Sequence, residues 1–156
     1  MPEAAETWPQ GAPSVGDTAW RSREVMIADI EHFTAMSGDR NPLHYDDVAA
    51  ASTPFERIVV QGGVTSAILN AVVAEDLPGP GTVFLNTNWD FQAPVHPGDT
   101  ITGKVEITSV RTDKAICELK VSVTRHDEVT VLEGSAVTYT FPLPAAPSGS
   151  KIQEQD

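Results

Sequence analysis

A run of apolar residues in the middle of the chain most strongly limits how it can fold. Residues 62–76 place apolar side chains around most of a helical cylinder, with no charge before Glu75 and Asp76. A helix that is apolar on nearly all sides must be buried by other elements. The segment LPGPG, residues 77–81, is a strong stop signal. The sequence therefore predicts one buried central helix that ends before residue 77.

The chain after residue 81 has the two-residue period of β-strands. Apolar and polar residues alternate in four stretches, at residues 82–91, 101–110, 115–123 and 129–141. Because short connections join antiparallel neighbours, we expect consecutive strands to pair. An antiparallel sheet wrapped around the central helix hides that helix most economically. The pattern therefore indicates the α+β class and the architecture of the hot-dog fold.

The chain before the central helix is predicted to hold a strand at residues 19–27 and then a helix from Ile27. Gly38 is the stop signal of that helix. A short helix is predicted at residues 46–51. The two ends of the chain lack apolar periodicity, so we expect one domain at residues 17–142, with flexible segments at residues 1–16 and 143–156.

Composition and charge narrow the class of protein. The length of 156 residues and the apolar content of 40% fit one soluble globular domain. The formal net charge of −12 argues against nucleic acid or an anionic membrane as the main partner. No apolar run is long enough to cross a membrane, and the first residues lack the pattern of a signal peptide. Since Cys117 is the single cysteine, we expect a reducing, cytoplasmic location.

A short loop before the central helix carries the residues best suited to chemistry. Asp39 and His44 lie close together in the segment SGDRNPLH, residues 37–44, where Pro42 prevents a continuous helix. A carboxylate beside an imidazole can move protons to or from water or a carbon acid, although a turn cap is the alternative role for Asp39. Gly62 would let a ligand approach the backbone at the positive end of the central helix. Together these features favour a catalytic site.

Five segments of the chain together resemble a known family. They are residues 37–44 (SGDRNPLH), 55–63 (FERIVVQGG), 77–81 (LPGPG), 91–99 (FQAPVHPGD) and 111–114 (RTDK). In this order they resemble the MaoC-like (R)-specific enoyl-CoA hydratases. The resemblance spans roughly residues 22–141.

The resemblance implies a hot-dog fold and a specific reaction. Members of this family add water across a trans-2-enoyl thioester of coenzyme A and form the (R)-3-hydroxyacyl thioester. The matching catalytic pair is Asp39 and His44, and the matching donor to the thioester carbonyl is the backbone N–H of Gly62, with Gly63 beside it. Coenzyme A enters as part of the substrate, so no metal and no redox cofactor are expected. A homodimer or a higher homo-oligomer is also implied.

Other residues are candidates for contacts with the substrate. Asn41 in the loop and Asn70 on the central helix are candidates for contact with water or substrate, because an amide can donate and accept hydrogen bonds. Arg57, Arg111 and Lys114 are candidates for contact with the phosphates of coenzyme A. The alternative is that these three are ordinary surface charges.

The chain departs from the family pattern at two places. Many relatives carry His-Gly followed by a large residue where this chain has QGG at residues 61–63. Some relatives place a water-holding serine where this chain has the bulkier Asn70. These departures leave the length of the acyl chain open, and Gly63 is expected to open room beside the substrate.

Two other functions remain open on the sequence. A hot-dog thioesterase would use a carboxylate to activate water against the thioester carbon itself. A non-catalytic subunit that binds acyl thioesters is the second alternative, against which the presence of both Asp39 and His44 argues. The sequence leaves open whether the acyl group is carried by coenzyme A or by an acyl carrier protein, and it leaves the pathway open.

Overall fold

The computed structural model describes Trp8 and residues 11–143. The first half of this region holds strand β1 (Thr18–Glu24), helix α1 (Ile27–Ser37), a 3₁₀ turn (Pro42–His44), helix α2 (Asp47–Ala51) and helix α3 (Gly62–Ala71), which continues as a π-helical turn (Val72–Asp76). The second half holds strands β2 (Thr82–Phe91), β3 (Thr100–Arg111), β4 (Ile116–Arg125) and β5 (Thr130–Thr140). Each predicted helix and strand is present, with its ends moved by a few residues.

The five strands form one antiparallel sheet in the order β1-β3-β4-β5-β2. The prediction that consecutive strands pair was therefore wrong for β2 and β3. The reason is that residues 92–99 do not form a tight hairpin turn. They bind instead to the segment before α3, where Val60 N–H donates to Val95 O at 2.9 Å and His96 Nδ1 contacts Ile58 O at 2.7 Å. Strand β2 therefore lies at an edge of the sheet, beside β5 and away from β3.

Helix α3 lies against the inner face of the sheet and forms the centre of the core. Leu69 and Val72 are fully buried, and Ile68 is nearly so. The sheet contributes the alternate residues of β3 and β4, such as Val105 and Leu119. The predicted α+β class, with an antiparallel sheet wrapped around a central helix, is confirmed. The opposite side of α3 is exposed and carries small or polar residues, so the helix is buried on one face only.

Helix α1 ends as the sequence predicts. Gly38 adopts the left-handed conformation with φ 79°, and its N–H donates to Thr34 O at 2.8 Å. Only glycine takes this conformation without steric cost, so the chain turns sharply at this residue. Asp39 is therefore delivered directly past the end of α1.

The predicted flexible ends fall mostly outside the described residues. Within the first segment, Trp8 is 5% exposed and packs into the core. Residues 14–17 form a hydrogen-bonded turn, within which Gly16 N–H donates to Ile107 O at 2.8 Å. Among the described residues, no helix combines the length and the apolar character that a bilayer crossing requires.

Candidate active site

The loop between α1 and α2 folds back on itself and brings Asp39 and His44 together. Asn41 N–H donates to Asp39 Oδ1 at 3.1 Å, and Leu43 N–H donates to Asn41 Oδ1 at 3.1 Å. These side-chain contacts replace helical hydrogen bonds, as is typical of Asx turns. Pro42 then starts the single 3₁₀ turn that ends at His44. The local sequence itself therefore produces the close approach.

The two side chains face each other with Asp39 Oδ2 at 3.6 Å from His44 Nε2. His44 is 9% exposed, whereas Asp39 is 38% exposed. His44 Nδ1 lies 2.6 Å from Val59 O, and a carbonyl oxygen can only accept, so Nδ1 carries the hydrogen. In the neutral ring, Nε2 therefore keeps its lone pair and points it toward the carboxylate. This is the arrangement of a base that can take a proton from a small molecule held between the two groups.

A cavity of about 380 Å³ opens beside this pair. His44 forms part of its wall, and Asn41 lies at its rim. Most of the remaining lining is apolar, including Leu43, Phe55, Val60, Phe91 and Val95. An apolar cavity with a few convergent polar groups is the usual form of a site for a small organic ligand.

Gly62 places the start of α3 at the wall of the same cavity. Among the described residues, its N–H donates to no protein acceptor, as expected for the first turn of a helix. A Cβ at this position would lie 3.1 Å from the ring of Phe91, so a side chain would intrude between them. The free N–H and the positive end of the helix therefore form a ready site for developing negative charge.

Gly63 and Asn70 do not line this cavity. A Cβ at Gly63 would lie 2.0 Å from Phe33 Cε2, so the space is already filled by that ring. Both residues line a separate groove of about 400 Å³ on the exposed side of α3, together with His32 and Met36. The expected extra room at Gly63 is therefore absent from the cavity beside Asp39 and His44.

The three basic candidates are spread over the chain. Arg57 is exposed and lines a smaller cavity of about 240 Å³ on another side of His44. Arg111 pairs with Asp113 at 3.0 Å, and Lys114 lies in the turn that follows. Both are at the far end of β3, roughly 36 Å along the strand from Thr100 at about 3.3 Å per residue. Of the three basic residues, only Arg57 lines a cavity that His44 also lines.

Two buried residues near the site, Thr34 and Gln61, and the exposed Tyr45 were not identified from the sequence as functional. Thr34 Oγ1 donates to Asp39 O at 2.8 Å, contacts the hydroxyl of Tyr45, and accepts from Gln61 Nε2 at 3.1 Å. Thr34 lies on α1 and Gln61 lies 27 residues later. No local pattern signals a contact across such a separation.

The chain matches the family model described as "MaoC like domain" over residues 14–138. Among curated proteins, it is 36% identical over 123 residues to an (R)-specific enoyl-CoA hydratase of Aeromonas caviae, covering 79% of this chain and 92% of that protein. It is also 36% identical over 123 residues to a 3-hydroxybutyryl-CoA dehydratase of Methylorubrum extorquens, covering 79% and 78%.

Solved structures of similar proteins have the same fold. The (R)-hydratase of A. caviae involved in PHA biosynthesis superimposes with a TM-score of 0.78 at 34% identity, covering 82% of this chain and 97% of that one. An unliganded R-hydratase of Pseudomonas aeruginosa gives a TM-score of 0.76 at 30% identity, covering 89% and 93%.

Proposed function

This chain belongs to the MaoC-like dehydratase family, and we propose that it adds water to trans-2-enoyl thioesters of coenzyme A to form the (R)-3-hydroxyacyl thioesters. The observation that carries this proposal is the placement of His44 and Gly62 on the wall of one apolar cavity, with the Asp39 carboxylate beside His44. The Asp39 carboxylate and the His44 imidazole are 3.6 Å apart, and the free N–H of Gly62 lies at the cavity wall. The (R)-hydratase relatives also support the hydration of an enoyl thioester.

The first step is the activation of water by Asp39 and His44, which together form the proposed catalytic dyad. A water held between Asp39 Oδ2 and His44 Nε2 gives a proton to His44 while its oxygen bonds to the β-carbon of the enoyl group. The resulting imidazolium is stabilised by the carboxylate beside it. The hydrogen bond from Nδ1–H to Val59 O keeps the ring in the orientation that this step requires.

The second step requires the stabilisation of negative charge. As the carbon–oxygen bond forms, the electron pair of the double bond moves through the α-carbon to the thioester oxygen. We expect the N–H of Gly62, at the positive end of α3 and on the cavity wall, to bind that oxygen. The dyad then returns a proton to the α-carbon, so that one water is added in total. Because water addition transfers no electrons to a carrier, the reaction needs no redox cofactor.

A second copy of the chain is proposed to complete the assembly. Strand β2 pairs with β5 alone among the described strands, and Val83, Leu85 and Phe91 expose 44%, 57% and 54% of their surface along it. Unpaired apolar edges of this kind favour pairing with another strand. Antiparallel pairing of β2 from one copy with β2 from the other would cover the β2 edge of each copy and form a homodimer.

This dimer would also bring the remote basic residues to a cavity. Thr82 lies at the end of β2 nearest the β3–β4 turn, whereas Phe91 lies at the cavity. Antiparallel pairing therefore places the β3–β4 turn of one copy beside the cavity of the other. Arg111 and Lys114 are proposed to contact coenzyme A phosphates across the dimer, and Arg57 within its own chain.

The proposal is tested by following the loss of enoyl absorbance with crotonyl-CoA and with a longer trans-2-enoyl-CoA. Asp39→Asn and His44→Ala are each expected to lower kcat by about 10²–10⁴-fold, because each removes half of the general acid–base pair. His32→Ala and Asp127→Asn are matched controls on exposed side chains outside the cavity, and they should retain activity. Chiral chromatography of the hydrolysed product identifies the (R) form.

Two outcomes would contradict the proposal. Release of free thiol from a saturated acyl-CoA, without loss of enoyl absorbance, would identify a thioesterase. Tight binding of enoyl-CoA without turnover, unchanged in Asp39→Asn, would identify a binding subunit.

A further inference from the structure

The side chain of Gln61, where many relatives carry histidine, is directed away from the cavity. It is 2% exposed although its neighbour Gly62 lines the cavity. Gln61 Nε2 donates to Ile30 O at 3.3 Å and to Thr34 Oγ1 at 3.1 Å. Both acceptors belong to α1. The residue that precedes the N–H donor of the site is therefore fixed to α1.

The hydroxyl of Thr34 is the centre of a buried network. Thr34 is 3% exposed, and its one hydrogen is donated to Asp39 O at 2.8 Å. Its two lone pairs must therefore accept from Gln61 Nε2 and from the Tyr45 hydroxyl. The hydroxyl thus uses its full capacity for hydrogen bonds. The bonds of this hydroxyl restrain the segments that it joins, although Gln61 Oε1 has no partner among the described residues.

This network joins the backbone carbonyl of Asp39 to the chain neighbours of the other two functional groups. Its members are Asp39 itself, Tyr45, which follows His44, and Gln61, which precedes Gly62. We infer that Thr34 is a positioning residue that fixes the Asp39 loop relative to the start of α3. This inference rests on the proposed hydration reaction, for which it identifies a residue that does not touch the substrate.

The two halves of the dyad depend on different anchors. His44 is held by Val59, through the contact of Nδ1 with Val59 O at 2.6 Å. Asp39 is held by Asn41 within the same loop, at 3.1 Å, and by Thr34 from outside it, at 2.8 Å. Loss of the Thr34 hydroxyl would leave Asp39 held only by its near neighbours, Ser37 and Asn41, while the contact of His44 with Val59 would remain. The separation of 3.6 Å between the two groups would then be less firmly fixed.

Steady-state kinetics of Thr34→Val, Thr34→Ser and wild type test the inference. Valine keeps the shape of threonine but removes the hydroxyl, so kcat should fall by about 10- to 100-fold while KM changes little. Serine keeps the hydroxyl and should restore most of kcat. The matched control is Thr138→Val, because Thr138 is fully buried on β5 and its hydroxyl has no hydrogen-bond partner among the described residues. That variant should keep the kcat of wild type.

Hydrogen–deuterium exchange provides a second measurement that does not need turnover. In Thr34→Val, exchange should rise at residues 38–45 and stay unchanged in the strands, whereas Thr34→Ser should resemble wild type. An unchanged kcat and unchanged exchange in Thr34→Val would overturn the inference and leave the hydratase proposal intact. A wild type that turns over no enoyl thioester, combined with faster exchange at residues 38–45 in Thr34→Val, would overturn the hydratase proposal and support the anchoring role.

If Thr34→Val does not fold, Tyr45→Phe carries the test. The ring of Tyr45 is 37% exposed, so removal of its hydroxyl alone should be tolerated. Loss of one hydrogen bond to Thr34 should lower kcat by a factor of about 2–10. A kcat equal to that of wild type, with unchanged exchange at residues 38–45, would overturn the inference.

Discussion

Gly63→Ala should destabilise the protein, although alanine is the better helix former. A Cβ at this position would lie 2.0 Å from Phe33 Cε2 and 2.2 Å from Phe33 Cζ. Ordinary contacts between carbon atoms are about 3.5–4.0 Å, so the ring of Phe33 must retreat by roughly 1.5 Å. Phe33 packs against the core and borders the open groove, so the ring can move only by giving up contacts with α3.

The expected loss of stability combines two opposing effects. Overpacking of this kind costs about 1–3 kcal/mol. Replacement of glycine by alanine in a helix stabilises the folded state by up to about 1 kcal/mol. We therefore expect the free energy of unfolding to fall by about 1–2 kcal/mol, which corresponds to a decrease in Tm of roughly 2–8 °C for a chain of this size.

Gly62→Ala is the matched control, one position earlier in the same helix. Its Cβ would lie 3.1 Å from the ring of Phe91, a contact that requires this ring to shift by only a few tenths of an ångström. Gly62→Ala should therefore leave the free energy of unfolding nearly unchanged. The same substitution thus has different effects at adjacent positions because the ring of Phe33 must move much farther than the ring of Phe91.

A double-mutant cycle measured by urea denaturation tests the assigned cause. The cycle compares wild type, Gly63→Ala, Phe33→Ala and the double variant. Once the ring is gone, the new Cβ has no clash, so the double variant should be more stable than additivity predicts by at least about 1 kcal/mol. Additive effects, or a Gly63→Ala variant as stable as Gly62→Ala, would refute the reasoning.

Two further predictions concern a buried thiol and the exposed edge. Burial raises the pKa of the Cys117 thiol to about 11 from its usual 9.0, so alkylation at pH 8 should be much slower in the native protein than in urea; equal rates would contradict this. The same shift favours the folded state below pH 9, and that stabilisation is lost as the pH rises toward 11. Leu85→Lys, on β2, should convert the proposed dimer to a monomer in light scattering, whereas Val48→Lys, on exposed α2, should not; a dimer that persists in Leu85→Lys would exclude pairing at this edge.

The elements were predictable because their signals are local. Gly38 stops α1 through the left-handed conformation at one residue, and the alternation of residues in β3 follows from the pleat of a strand. The order of the strands was not predictable from the same signals. It depends on residues 92–99, whose backbone contacts Val60 and whose His96 contacts Ile58, far apart in sequence. Proline and glycine in this loop resemble those of a tight turn.

In the candidate site too, local sequence predicts some features and does not predict others. The approach of Asp39 to His44 is produced by hydrogen bonds within the loop, so a sequence motif could predict it. Asn70 was a candidate because the resemblance matches it to a serine of some relatives, whereas in this chain it lines a different groove. The contact between Gln61 and Thr34 spans 27 residues and has no local signature. Contacts of this kind require the folded chain to be seen.

Because Asp39 is exposed to solvent, the bound substrate should change the strength of the interaction between Asp39 and His44. His44 is 9% exposed and Asp39 is 38% exposed, so water screens the pair from the carboxylate side. An acyl thioester in the cavity would exclude that water and strengthen the attraction between the carboxylate and the imidazolium that forms. Part of the binding energy of the acyl chain would then be used in the transition state. A chain that fills more of the cavity should therefore raise kcat as well as lower KM.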